Sequence, residues 1–301
     1  MLFNIFVNDI ALCFKHSKFL LYADDMKVFK QIRSIVDCHL LQQDLQRFED
    51  YCQINKLDIN VAKCHAITFT RKSNFIKSKY YIKGQELDVV DEIRDLGIIH
   101  DSKLIYDKHI DYIAKKANKS IGFIKRQCSQ FNNIKIAKIL YCSHVRSILE
   151  YCSQIWNPQY DIYIDRIESI QRRFMKYLQF KCNKYDVSYR HRCKRHHILP
   201  LHERRKIADI VFLMKIAQCQ VDSPYLLAKI NLQVPTRSVR QPHNYIHASF
   251  SFSKYRRNSF IVRSANFVNR LDGFPEFDLF NTSVSALRTR VTRNWFSMLT
   301  T

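Results

Sequence analysis

The hydrophobic period changes partway along the chain, and that switch limits the fold more than any other feature. Before about residue 105 the apolar residues come in short runs divided by turn residues; beyond it they recur every three or four positions. Lys18 to Tyr22 and Met26 to Phe29 are two such runs, with Ala23, Asp24 and Asp25 between them, which predicts a β-hairpin carrying carboxylates at its tip. From Ser34 to Ile54 the positions Leu41, Leu45, Phe48 and Cys52 step by helical spacing, so a helix with one buried stripe is expected to lie on a sheet. Further strands are predicted at Ala66 to Thr70, at Tyr80 to Ile82 turning at Lys83 and Gly84 into Leu87 to Val90, and at Leu96 to Ile99. Residues 1–105 are therefore read as an α+β unit, an antiparallel sheet with a packed helix.

The remainder is read as helical. Ile110, Ile113, Ala117, Ile121 and Ile124 mark a buried stripe over Tyr106 to Gln130, while Lys108, Lys115, Lys119 and Arg126 share a different face. Ile134 to Tyr151 and the segment around Tyr163 to Tyr177 repeat the pattern, giving a helical unit over 106–185. In 186–301, a basic and mainly helical region, helices are expected at Leu201 to Cys219, from Asp222 to Pro224 onward, and at Ser283 to Leu299, whereas Pro235 to Arg263 has weak periodicity.

Charge narrows the partners. Lys and Arg number 49 against 27 Asp and Glu, a formal charge of +22 that attracts polyanions, nucleic acid first and anionic membranes second. Between Arg166 and Lys206 stand 13 Lys or Arg against Glu168, Asp186 and Glu203. With only 4 glycines no Gly-rich phosphate loop is available, so phosphate would have to meet cations, helix termini or metal. The 10 scattered cysteines read as small core residues of a reducing compartment. Met1 to Phe14 is apolar but too short to span a bilayer, and neither a signal peptide nor a membrane anchor is expected; Leu2, Phe3, Ile5, Phe6, Val7 and Ile10 would leave an apolar surface wanting cover.

Two adjacent carboxylates repel each other, and a shared divalent cation relieves them. Two-metal phosphoryl transfer uses such a pair, and hard oxygen donors suit magnesium. The same pair is also ordinary turn chemistry, since Asp readily bonds its own backbone.

The flanking blocks carry a resemblance. Leu2 to Ile10, then Phe19-Leu20-Leu21-Tyr22-Ala23-Asp24-Asp25, Leu57 to Lys63, Leu96-Gly97-Ile98, and Tyr141 to Pro158 with Trp156 resemble, in this order, the reverse transcriptases of non-LTR retrotransposons, most of all the jockey-like elements of insects. The resemblance implies a partial polymerase palm followed by a thumb, and RNA-directed DNA synthesis on an RNA template and DNA primer with deoxynucleotides. Mg2+ is the implied cofactor of the intact enzyme, with Mn2+ as the alternative. It also implies metal-site roles for Asp24 and Asp25, primer or nucleotide contact for Tyr22, Ala23, Leu96 and Gly97, an acid protonating pyrophosphate at Lys63, and phosphate contacts at Lys108, Lys115, Lys119 and Arg126. The family's earlier palm aspartate, its fingers and a Gly-containing loop do not occur in the sequence, so this chain alone is expected to be inactive. A nuclear location follows from the family, with the cytoplasm as the alternative; oligomeric state stays open.

A second class of function stays beside it: a non-catalytic, basic RNA- or DNA-binding protein derived from a retroelement. Zinc at Cys182, His191, Cys193, His196 and His197 is disfavoured, because the cysteines stand too far apart and the histidines crowd the second, and a basic nucleic-acid loop is preferred.

Overall fold

In the computed structural model, which describes residues 2–130, 133–183, 188–233, 246–248, 252–270 and 278–297, the chain divides into two compact units, 1–104 and 105–301. The first begins with α1 (Leu2–Phe6) and a 3-10 turn (Asn8–Cys13), followed by the antiparallel hairpin β1 (Lys18–Tyr22) and β2 (Asp25–Phe29). Tyr22 lies opposite Asp25, so the loop is Ala23 and Asp24 alone. The sequence predicts three loop residues; Asp25 is instead the first residue of β2, because Ala23 adopts a φ of 52° and closes the turn in two. Alternation turns Phe19 inward, where Phe14 stacks between it and Phe48 at ring distances of 4.9 and 5.9 Å.

Helix α2 (Ile35–Ile54) starts at Ser34, whose backbone N–H donates to the Asp37 carboxylate at 2.9 Å in a capping box. Its buried side holds Cys38, Leu45 and Cys52, and among them a charged residue, Asp44, with no exposed surface. That carboxylate accepts the backbone N–H groups of Lys15 (3.1 Å), His16 (2.9 Å) and Ser17 (2.6 Å), and also bonds Arg47. Burial pushes the Asp44 pKa up, but the hydrogen bonds together outweigh it and hold the group down at about 2. Arg47 donates in turn to the Cys13 carbonyl at 3.0 Å, so α2 grips the chain on both sides of the approach to β1.

The strands β3 (His65–Ala66), β4 (Tyr81–Ile82), β5 (Gln85–Glu86), β6 (Asp88–Val89), β7 (Glu92–Asp95) and β8 (Ile98–Asp101) follow. Instead of one sheet, the described strands pair two by two: β3 with β6 in parallel, β4 with β5 and β7 with β8 antiparallel. The predicted strand from Leu96 to Ile99 is corrected as well. Leu96 and Gly97 form the two-residue turn between β7 and β8, with φ of 43° and 85°, and Lys83 and Gly84 turn β4 into β5 with φ of 50° and 69°. Positive φ at both central positions is the geometry that matches strand twist, and the Gly in second place accepts it without strain.

In the second unit, α3 (Asp107–Gln127) buries Ile110, Ile113, Ala117, Ile121 and Ile124. Next come α4 (Ile134–Leu140), a π-helical stretch Tyr141–Arg146, α5 (Ser147–Glu150), α6 (Ser153–Trp156) and α7 (Asp161–Lys181). Then follow α8 (Tyr189–Arg195), α9 (Leu201–Ala217), α10 (Pro224–Leu227), α11 (Lys254–Arg257), α12 (Phe260–Asn269) and α13 (Val284–Ser297). Two of these correct the sequence reading. The basic run near Cys193 is a helix, not a loop, because Cys193 is fully buried, and α12 begins at Phe260, within the stretch read as weakly periodic, because its Ala265 and Val268 pack on the α9 core. Residues 234–245 and 249–251 lie outside the described residues.

Polar side chains tie these helices together. Trp156 is fully buried, with its indole N–H donating to the Tyr151 carbonyl at 2.7 Å. Glu150 accepts a two-point bond from Arg204, and Asp209 accepts one from Arg263 at 2.7 and 3.1 Å, while Arg263 also donates to the Gln154 carbonyl at 2.9 Å. A second chain of contacts runs from Tyr141 to Gln171 (2.7 Å), from Gln171 to Tyr189 (2.8 Å), and from Tyr189 to Glu168, which caps α9 by accepting the Leu201 N–H at 3.1 Å.

Two outcomes follow for stability. Asp44→Asn loses charge-assisted bonds to three N–H groups and should cost about 2–4 kcal/mol in urea unfolding of the first unit. Because the native Asp44 pKa lies below its unfolded value, that contribution is present above pH ~4 and lost as pH falls towards about 2; the wild-type and variant acid profiles should converge there. In the second unit, Asp209→Asn leaves the Arg263 guanidinium buried without its anion and should cost about 3–5 kcal/mol, whereas Asp209→Leu with Arg263→Met should recover much of the loss.

Candidate active site

The hairpin tip exposes the carboxylates of Asp24 and Asp25, and the face it shows to solvent also carries Leu20 and Tyr22. With a period of two, Tyr22, Leu20 and Lys18 line that face on β1, and their partners Asp25, Lys27 and Phe29 line it on β2. Lys27 reaches from this row to Asp95, the residue before the Leu96-Gly97 turn, at 2.8 Å. The ion pair thus ties the tip of the second hairpin to the flank of the first. His100, on β8, senses the same pair: burial lowers its pKa, against Asp95 and alongside Lys27.

Lys63 ends a 3-10 turn (Val61–Lys63) and is exposed. Val61 and the β2 residue Val28 pack on one small core of Leu45, Ile82 and Leu87, so the Lys63 turn and the hairpin share a support. Among the described residues no ion pair joins Lys63 to Asp24 or Asp25. Lys108, Lys115, Lys119 and Arg126 all stand exposed on α3, at steps of seven, four and seven that return to one face, and Lys115, Lys119 and Arg126 make no ion pair among the described residues.

Among the described residues no group of three or more His, Cys, Asp or Glu side chains stands together as a metal site. Asp24 and Asp25 are two adjacent donors, short of what magnesium takes from a protein and nucleotide together. The donor set of the described residues is therefore incomplete for a resident Mg2+.

Several residues that shape the site escaped sequence reading. Asp44 sits three residues after Leu41 and four before Phe48, on the apolar stripe itself, and a carboxylate there was a legible sign of a buried acceptor. Lys27 and Asp95 had no such signal, because long-range ion pairs leave no periodic trace. No helix among the described residues is long and apolar enough to cross a membrane.

Over 164 residues, 52% of this chain and 17% of the other, the sequence is 26% identical to the RNA-directed DNA polymerase from the mobile element jockey of Drosophila funebris. It is 29% identical over 98 residues, 33% of this chain and 49% of the other, to an uncharacterised protein of Caenorhabditis elegans. The chain thus spans half or less of the length of these relatives. No protein-family profile and no solved structure matches it. The resemblance to a retrotransposon reverse transcriptase is distant and partial.

Proposed function

We propose that this chain is a reverse transcriptase segment of a non-LTR retroelement, in which residues 1–105 are palm and the helices from α3 onward begin as thumb. The single observation that carries the reading is the Tyr22-Ala23-Asp24-Asp25 hairpin, closed in two residues with both carboxylates in solvent, in a chain similar to a jockey RNA-directed DNA polymerase. Buried or helical carboxylates would have spoken for plain structure; these are free to meet a ligand.

In this reading Asp24 and Asp25 would supply two donors of a Mg2+ site, or of Mn2+ as a substitute, that they do not complete, and Tyr22 and Ala23 would place them at the primer end. Leu96 and Gly97 present a backbone turn instead of a strand, held beside β2 by Lys27 and Asp95. Lys63 is a cation for the departing pyrophosphate. Nucleotidyl transfer needs donors beyond the two carboxylates, so the isolated chain binds template and primer without extending them. The α3 face of Lys108, Lys115, Lys119 and Arg126 tracks phosphates without reading bases, a sequence-independent mode of contact.

A purified chain titrated with an RNA–DNA template–primer over 50–200 mM salt tests this. Affinity should fall with salt at a slope of about 0.9 per neutralised phosphate, and Lys115→Glu with Lys119→Glu should lower that slope by about 2. Salt-insensitive binding, or an unchanged slope in the variant, sinks the nucleic-acid assignment. Steady primer extension by the same chain, abolished by Asp24→Ala, would show that its own residues complete the metal site.

A further inference from the structure

Helix α8 carries a buried positive charge without an anion. Arg192 is 9% exposed, yet its side chain makes no ion pair among the described residues and its Nε is buried with no hydrogen-bond partner. One turn later His196 repeats the pattern: its N–H donates to the Arg192 carbonyl at 3.1 Å, which puts the two side chains on one face, and its Nε2 is likewise buried and unpartnered. Around His196 the neighbouring charges are cations, and the carboxylate that acts on α8 from α7, Glu168, is engaged by Tyr189 and the Leu201 N–H. Burial lowers the His196 pKa, and Arg195, Lys138 from α4, and His197 lower it further.

A largely buried guanidinium is costly unless an anion and good hydrogen bonds accompany it, and Arg192 has no ion pair among the described residues and a bare Nε. Arg263 is paired with Asp209 and Arg204 with Glu150, and Arg205, buried with a bare Nη1, still donates from Nε to Asn157 at 3.0 Å in the field of Glu168, Glu150 and Asp209. Arg192 lacks such a carboxylate, and the neighbouring imidazole wants an acceptor too when its proton sits on Nε2. A tetrahedral oxyanion supplies several acceptor oxygens to such a group of donors, and phosphate is the polyanion chemistry that a chain of charge +22 attracts most broadly. We propose that Arg192 and His196, with Lys138 and Arg195 beside them, form a binding site for a phosphate group. The site stands on its own donors and does not depend on the polymerase reading. Two sources share this chemistry, a free phosphate ion and a phosphodiester of a nucleic-acid strand.

The test uses the whole chain and two probes, inorganic phosphate and a short oligouridylate, each followed by thermal unfolding against sodium chloride of equal ionic strength. Phosphate should raise the unfolding midpoint saturably, and Arg192→Met should weaken its apparent affinity at least about tenfold. Lys138→Ala, at the half-exposed edge of the site, should weaken it several-fold and carries the test should Arg192→Met fail to fold. Oligouridylate that competes with phosphate identifies the strand as the source, and phosphate binding without competition identifies the free ion. No saturable shift with either probe, or full retention of the shift in both variants, overturns the proposal.

Discussion

The first unit depends on one buried carboxylate. Asp44 accepts the N–H groups of three consecutive residues, Lys15 to Ser17, immediately before β1 begins. A short hairpin with one solvent-exposed face has little hydrophobic area to fix its angle to a helix, since a two-stranded ribbon alone is marginal in water. Fixing the backbone that enters β1 therefore does what packing cannot. Phe14, stacked between Phe19 and Phe48, adds the apolar half of the same joint. The consequence reaches the tip: Asp24 and Asp25 stand one strand length beyond an anchored loop, so their position follows from α2.

The second unit uses charge differently. Two of its pairs are buried or half-buried and link segments far apart in sequence, Glu150 with Arg204 and Asp209 with Arg263. Such pairs repay their desolvation poorly against well-packed apolar residues, but they penalise any arrangement that separates them. In a unit of short helices, several with fewer than eight residues, that penalty selects one packing among many similar ones. The segment 141–158 holds much of this network, through Tyr141, Glu150, Trp156 and Asn157.

The long periodic elements were legible because burial repeats at a helical interval: Leu45 and Cys52 on α2, and Ile110 to Ile124 on α3, face inward as their spacing dictates. The hairpin was legible from its two apolar runs, though not that Asp25 belongs to the strand. Between 65 and 101 the strand at Tyr81–Ile82 and its Lys83-Gly84 turn were legible, but the β3–β6 ladder was not, because two-residue pairings are fixed by long-range backbone bonds such as Val90 N–H to the Ala66 carbonyl at 2.9 Å, which leave no pattern in sequence. Leu96-Gly97 shows the limit well. A Gly after an apolar residue reads as a strand interior or as a turn, and only the pairing of Asp95 with Ile98 decides between them. Arg192 shows another: a basic run reads as a solvated surface, whereas this member of it is nearly buried.

Exposure at the hairpin tip has an electrostatic logic. Asp24 and Asp25 repel one another, and in water that repulsion is small, so the fold tolerates both charges without a partner. Sequestered from solvent, the same two groups would need a cation or would take up a proton. Anything that closes over this tip and excludes water therefore raises the demand for a compensating positive charge. Lys27 stands two residues from Asp25 on the same face, but Asp95 already holds its ammonium at 2.8 Å. The bridge that docks the second hairpin thus also leaves the carboxylates uncompensated by the nearest lysine on their own face, so their bare charge and the placement of Leu96-Gly97 come from the same ion pair.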